Sequence, residues 1–275
     1  MENGAEASDE ISLEHSCDER EEETEQKRPR LVAEGEEKAA DEAKQTAEST
    51  SCSASASSDV VVSASALQPR PKQAATFVRD HTKLHLLLGV SGSVAATKLP
   101  ELIAEIFRQS LPNRLEVRVV ATEAGARFFD ADAFGFPVYR DADEWDAWRQ
   151  RGDPILHIEL RRWADLLLIA PLDANTLAKV ANGLCDNLLS CVVRAWDPNK
   201  PVYFCPAMNT YMLEHPLTYK HLEVLKNLLN YTEIPCVEKD LMCGDKGYGA
   251  MAPVPMVASV IAGEVKKRFA VISRS

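Results

Sequence analysis

A chain of 275 residues with a formal net charge of −11 holds one large domain or two small ones. Its acid is unevenly placed: residues 1–76 carry 18 Asp and Glu against 8 Lys and Arg, and the remaining 199 carry 24 against 23. The near-neutral part argues against a nucleic-acid binder, which needs a concentrated basic face, and no run approaches the roughly 18–20 apolar residues of a membrane span.

Residues 1–76 contain no Phe, Tyr or Trp and are built from runs such as Glu21–Glu23 and Ser51–Ser58. Such a segment buries too little apolar surface to offset the entropy of ordering it, so a disordered acidic tail is expected there. A folded domain is expected over 77–275. The first 30 residues are acidic and polar, which is not the pattern of a signal peptide. Lys27-Arg28-Pro29-Arg30 reads as a solvated charge cluster, with a nuclear-import patch as the alternative. Cysteines at 17, 52, 185, 191, 205, 236 and 243 include no C-x-x-C pair. Free thiols, no metal site and a reducing, cytoplasmic compartment are the expectation.

Lys83–Val90 is a short apolar run ending in Ser91-Gly92-Ser93, the pattern of a strand buried on both faces followed by a turn. An amphipathic stretch follows from Val94 to Gln109, with Pro100 inside it, so the helix starts late or kinks. A second strand is expected at Leu115–Ala121, and Thr122–Ala126 opens a short helix carrying Phe128 and Phe129. The middle is irregular, with an acidic, Trp-bearing loop around Asp143–Trp148. Asp165–Pro171 is another buried strand, and Asp173–Thr176 a cap-rich helix start leading into Leu177–Ala181. Then come a helix at Asn187–Ala195, a strand at Pro201–Cys205, a helix at Pro216–Leu229, a strand near Tyr231–Pro235 and a final helix at Val254–Phe269. Apolar strands alternating with helices predict an α/β, Rossmann-like parallel sheet with helices on both faces. Ligands bind such sheets outside the carboxyl ends of the strands.

Gly92 lets the backbone approach a ligand, Ser91 and Ser93 add hydroxyls, and amides at the helix start favour an anion. One glycine with flanking hydroxyls suits the single phosphate of FMN better than the pyrophosphate of NAD or FAD. An ordinary turn capped by Ser93 explains the same residues. Thr122 and the segment Asp173, Ala174, Asn175, Thr176 fall on the same rim, where Asp173 already supplies a cap. His157, between apolar neighbours, is either an acid/base or a satisfied half-buried histidine. Asn209 directly follows a strand and offers both donor and acceptor. Cys243 opens a glycine-rich segment, Leu241–Met251, that reads as a mobile loop able to close over a substrate; a small buried thiol is the alternative.

Five segments in order, His157–Asp165, Ala170–Leu177, Arg194–Asp197, Pro206–Asn209 and Cys243–Met251, together resemble the homo-oligomeric flavin-containing cysteine decarboxylases. The resemblance spans nearly all of Lys83 to Ala262 and is nearest the branch that acts on 4′-phosphopantothenoylcysteine. It implies a homotrimer with interfacial sites. By position it places Gly92, Ser93, Val94, Thr122, Asp173–Thr176 and Ala207 against FMN. His157 becomes the acid/base and Cys243 a proton donor. Asn209, Met242 and Met251 meet the small-molecule substrate, and Arg162 is an anion partner.

The implied activity converts 4′-phosphopantothenoylcysteine to 4′-phosphopantetheine in coenzyme A biosynthesis. A cysteine carboxylate has no adjacent electron sink; oxidation at the carbon bearing sulfur creates a thioaldehyde β to the carboxylate, which accepts the electrons on decarboxylation and leaves an enethiol. The alternative reading is a regulatory subunit that binds and inhibits a protein phosphatase, as relatives of the fold do and as an acidic tail would suit, although the His157 and Cys243 segments are intact. Others decarboxylate peptide C-terminal cysteines or prenylate FMN.

Overall fold

The structure, a computed structural model, describes residues 77–131, 135–240 and 246–272; the expected tail over 1–76 lies outside them. Strand β1 (Leu84–Val90) is buried at every residue, as an unbroken apolar run requires when both faces are covered. A 3-10 turn at Val94–Lys98 leads into helix α1 (Leu99–Gln109). Pro100 lies in the first turn of α1, where its missing N–H is no loss, so the helix starts late and does not kink.

Strand β2 (Leu115–Ala121) is followed by a 3-10 turn at Gly125–Phe128 and the two-residue strand β3 (Val138–Tyr139). The acidic stretch expected as a loop is helix α2 (Asp141–Ala147). The side chain of Asp143 accepts the Arg140 amide at 2.7 Å, closing its amino end. Helix α3 (Leu156–Trp163), strand β4 (Leu166–Leu172), helices α4 (Ala174–Asn182) and α5 (Leu188–Arg194) and strand β5 (Val202–Pro206) come next. A short helix not expected from the sequence, α6 (Thr210–Glu214), precedes α7 (Pro216–Glu223), which passes into a π-type turn at Val224–Leu228.

Strand β6 (Thr232–Glu233) closes the sheet, and the final helix α8 runs over Val254–Ile272. Part of the segment expected as a mobile loop is strand β8 (Lys246–Ala250), which pairs antiparallel with β7 (Val237–Asp240) just before it, so two of its glycines lie in a strand.

The main sheet has the order β3-β2-β1-β4-β5-β6 and every pairing is parallel. One apolar layer joins it to α1 and α8 through residues such as Leu102, Ile106, Val257 and Ile261. The other joins it to α3, α4 and α5 through Leu160, Trp163, Leu177 and Val192. Strand order reverses between β1 and β4, which makes a crevice at their carboxyl ends.

At the opposite edge, the fully buried His85 ring lies 4.9 Å from Trp163 and 3.1 Å from the Asp165 carboxylate. Asp165 also accepts the His85 amide at 3.0 Å, pairs with Arg79 and lies 3.4 Å from Arg268. Burial works against its charge, but the His85 hydrogen bonds and then the Arg268 and Arg79 charges hold the carboxyl well below the usual range.

Candidate active site

The crevice between β1 and β4 is bolted by Ser91, which is fully buried. Its hydroxyl donates to the Pro171 carbonyl at 2.9 Å and accepts the Asp173 amide at 2.7 Å. Ser91 is thus a structural clamp and not the ligand hydroxyl expected from the sequence. Asp173 caps α4, accepting the Thr176 amide at 3.0 Å. Thr176 is buried and Asn175 exposed on the first turn of α4, with Ala174 between Asp173 and Asn175.

Three loops meet above this clamp. A Cβ on Gly92 would lie 2.7 Å from the Ala124 methyl and 3.5 Å from an Asp173 oxygen, so only glycine lets the three approach. Thr122, 7% exposed, accepts the Gly125 amide at 3.0 Å through its hydroxyl. Ser93 caps the 3-10 turn through the Ala95 amide at 3.4 Å. Val94, next to it, leaves an apolar side chain 42% exposed at the rim. The capped-turn reading and the rim reading of these residues are therefore compatible.

At the carboxyl end of β5, Ala207 is buried and Asn209 caps α6 by accepting the Tyr211 amide at 2.9 Å. The hairpin docks here: the Met208 amide donates to the Gly249 carbonyl at 2.9 Å. Gly249 has φ +136°, and a Cβ there would fall 2.2 Å from the Met208 carbonyl oxygen. Met251 follows β8 with its side chain 5% exposed in the core layer of α1 and α8. Cys243 and Met242 lie outside the described residues.

His157 stands in the first turn of α3. This helix feeds back into β4, and Leu156, Leu160 and Trp163 share one apolar cluster with Leu167 and Ile169, so its amino end lies at the carboxyl edge of the strands. His157 Nδ1 is hydrogen-bonded to Glu144 Oε1 of α2, and their side chains are 25% and 14% exposed. Sequence reasoning missed Glu144 because its segment was read as a loop. Arg162 is not brought to this group: it pairs with Glu159 at 2.8 Å, and its carbonyl accepts from Arg79 beside the start of β4.

Cys191, Cys205 and Cys236 are not activated thiols. Burial pushes Cys236 up to about 12 and Cys191 up to about 11, with the Glu233 and Glu144 charges as the next causes, and burial raises Cys205 further. Among the described residues, one cavity opens at the amino ends of the strands beside His81, Arg114 and Phe269, and another beside Trp196, Leu229 and Tyr231. Neither includes the residues of the carboxyl edge. No helix among the described residues is long and apolar enough to cross a membrane.

A parallel doubly wound sheet with polar loops converging at its switch point is an architecture for binding a ligand at that edge. The flavoprotein family model matches residues 75–266, and the chain belongs to that family. The chain is 53% identical over 195 residues to the phosphopantothenoylcysteine decarboxylase of Mus musculus, covering 71% of this chain and 94% of the relative. Among solved structures it resembles a cysteine-to-serine mutant of PPC decarboxylase complexed with pantothenoylaminoethenethiol: TM-score 0.61, 47% identity, 68% of this chain and 99% of that one. It also resembles the FMN binding protein AtHal3, with TM-score 0.59, 48% identity and coverage of 69% and 98%. Within the flavoproteins the chain falls among the phosphopantothenoylcysteine decarboxylases.

Proposed function

We propose that the chain is an FMN-dependent decarboxylase converting 4′-phosphopantothenoylcysteine into 4′-phosphopantetheine in coenzyme A biosynthesis. The observation that carries this reading is the meeting at one sheet edge of the Gly92–Ala124–Asp173 loop junction, the Asn209 cap and the His157–Glu144 pair. The donor set suits FMN: Ser93, Thr122 and the first turns after β1 and β4 favour a phosphate, and exposed Asn175 and apolar Val94 suit a polar-edged ring. Bound FMN supplies a reversible two-electron oxidation of the substrate.

The chain's own residues do the rest. His157 takes the substrate thiol proton and orients the carboxylate, and Asn209 holds the carboxylate or amide. Cys243 would give the proton that accompanies re-reduction of the enethiol left once carbon dioxide has gone. That the related cysteine-to-serine mutant is complexed with an enethiol agrees with this last step.

The active unit is a homotrimer with sites at subunit boundaries. Trp145, Trp148, Ile155, Tyr211 and Met212 are 44–78% exposed in the segments that flank His157 and Asn209, an apolar surface suited to burial against another copy. Arg162, 64% exposed at the far end of α3, would serve a site on that neighbour. The test is His157→Asn: the protein should keep its yellow flavin and trimeric mass while losing carbon dioxide release. Full activity in that variant would remove His157 from the chemistry.

A further inference from the structure

The reading above gives His157 a proton to take, and the structure supplies a group that governs how. Glu144 reaches His157 from a different helix. Helix α2 is fixed at its start by the Asp143 cap on Arg140 and by Asp141, whose side chain accepts the Leu188 amide of α5 at 2.7 Å. Glu144, one turn further along, is thereby held beneath the imidazole. Its Oε1 meets Nδ1, while its Oε2 is buried with no hydrogen-bond partner among the described residues.

An ionised carboxylate only accepts hydrogen bonds. Against it, the neutral imidazole must carry its hydrogen on Nδ1, which leaves the lone pair on Nε2. A second proton, taken at Nε2, creates an imidazolium facing a carboxylate whose other oxygen is spent on nothing else. The remaining titratable groups around the pair do not counter this. Asp141 faces the same α2–α5 junction, and Asp186 is paired with Lys179 at 2.6 Å. The Cys191 thiol of α5 is pushed up to about 11, by burial and then by the Glu144 charge, and stays neutral.

We propose that Glu144 is the positioning residue of this site: it fixes His157 with its hydrogen on Nδ1, presents Nε2 as the base, and stabilises the imidazolium formed when the substrate gives up its proton. The proposal rests on the decarboxylase reading for its chemistry, and on the geometry alone for the tautomer. The contact the structure gives the Glu144 carboxylate is with the His157 imidazole. Glu144 acts through His157, as carboxylates behind ligating or catalytic histidines do.

Two readouts on the full-length protein test this. The first is nitrogen-15 NMR of histidine-labelled protein, with His157→Asn identifying the resonance. Wild type should show Nδ1 protonated and Nε2 bare; Glu144→Gln should lose that single tautomer. The second is steady-state kinetics across pH. Glu144→Gln should lower kcat about 10–100-fold, leave KM and flavin absorbance near wild type, and move the acidic limb of kcat/KM to lower pH. Glu144→Asp should restore part of kcat. A wild-type His157 with Nδ1 bare, or an unchanged tautomer and pH profile in Glu144→Gln, overturns the proposal. So does a Glu144→Gln protein that loses flavin and thermal stability in parallel with activity, since that marks a purely structural role. If wild type shows the expected tautomer but releases no carbon dioxide from phosphopantothenoylcysteine, the decarboxylase reading fails and the Glu144–His157 pairing stands.

Discussion

Ser91 and Asp173 are joined across the switch point of the sheet by one hydrogen bond, the Asp173 amide donating to the Ser91 hydroxyl at 2.7 Å. The same hydroxyl donates to Pro171, so one buried side chain ties the carboxyl end of β1 to that of β4. Ser91→Ala leaves the Asp173 amide without this partner, at about 1–3 kcal/mol, while the Pro171 carbonyl keeps the Ser91 amide at 3.2 Å. Thermal unfolding should register that loss, and flavin affinity should fall with it because the loops at Gly92 and Asp173 lose their common anchor. Denaturation with and without added FMN measures both.

Gly249 makes a second test of how the edge is built. Its φ of +136° and the 2.2 Å approach of a Cβ to the Met208 carbonyl leave no room for a side chain. Gly249→Ala should undock the hairpin from the β5 end, raising KM for the substrate and lowering kcat while the bound flavin keeps its absorbance. Limited proteolysis between residues 237 and 250 should accelerate in the same variant.

At the amino edge, the Asp165 carboxyl is held below its ordinary range by His85, Arg268 and Arg79 in spite of burial. A carboxyl depressed in the folded state contributes stability that is present above its unfolded value, roughly pH 4. That stability is lost as pH falls through the folded value. Unfolding free energy should therefore decline below about pH 4. Asp165→Asn should be destabilised by about 3 kcal/mol at neutral pH and should show a shallower acid decline. Urea melts at several pH values distinguish the two proteins.

Cys243→Ser should still form the flavin-bound protein and release carbon dioxide in a first turnover, then stop with an enethiol in place of product. Mass spectrometry of a single-turnover reaction detects that species. Normal multiple turnover would remove Cys243 from the final protonation.

Strands β1 and β4 were legible in the sequence because burial on both faces leaves an uninterrupted apolar run. The parallel sheet and the place of Gly92, Thr122 and Asp173 on its rim followed from that. Helix α2 was not legible: none of its residues is buried, so there is no apolar stripe, and its helical form rests on the Asp143 cap and on contact with α5. With it went Glu144, whose partner His157 lies on the next helix. The glycines of β8 were read as loop residues because what requires them, the close approach to Met208 and Thr210, is made by chain some 40 residues away. Ser91 looked like a ligand group for the same reason, its partners being 80 or more residues distant.

The most direct test of the account is release of carbon dioxide from 4′-phosphopantothenoylcysteine by the purified full-length protein, followed alongside its visible spectrum. The account predicts an oxidised-flavin spectrum and stoichiometric conversion to 4′-phosphopantetheine, abolished by His157→Asn with the spectrum retained. A flavin-loaded wild-type protein that releases no carbon dioxide from this substrate would contradict it.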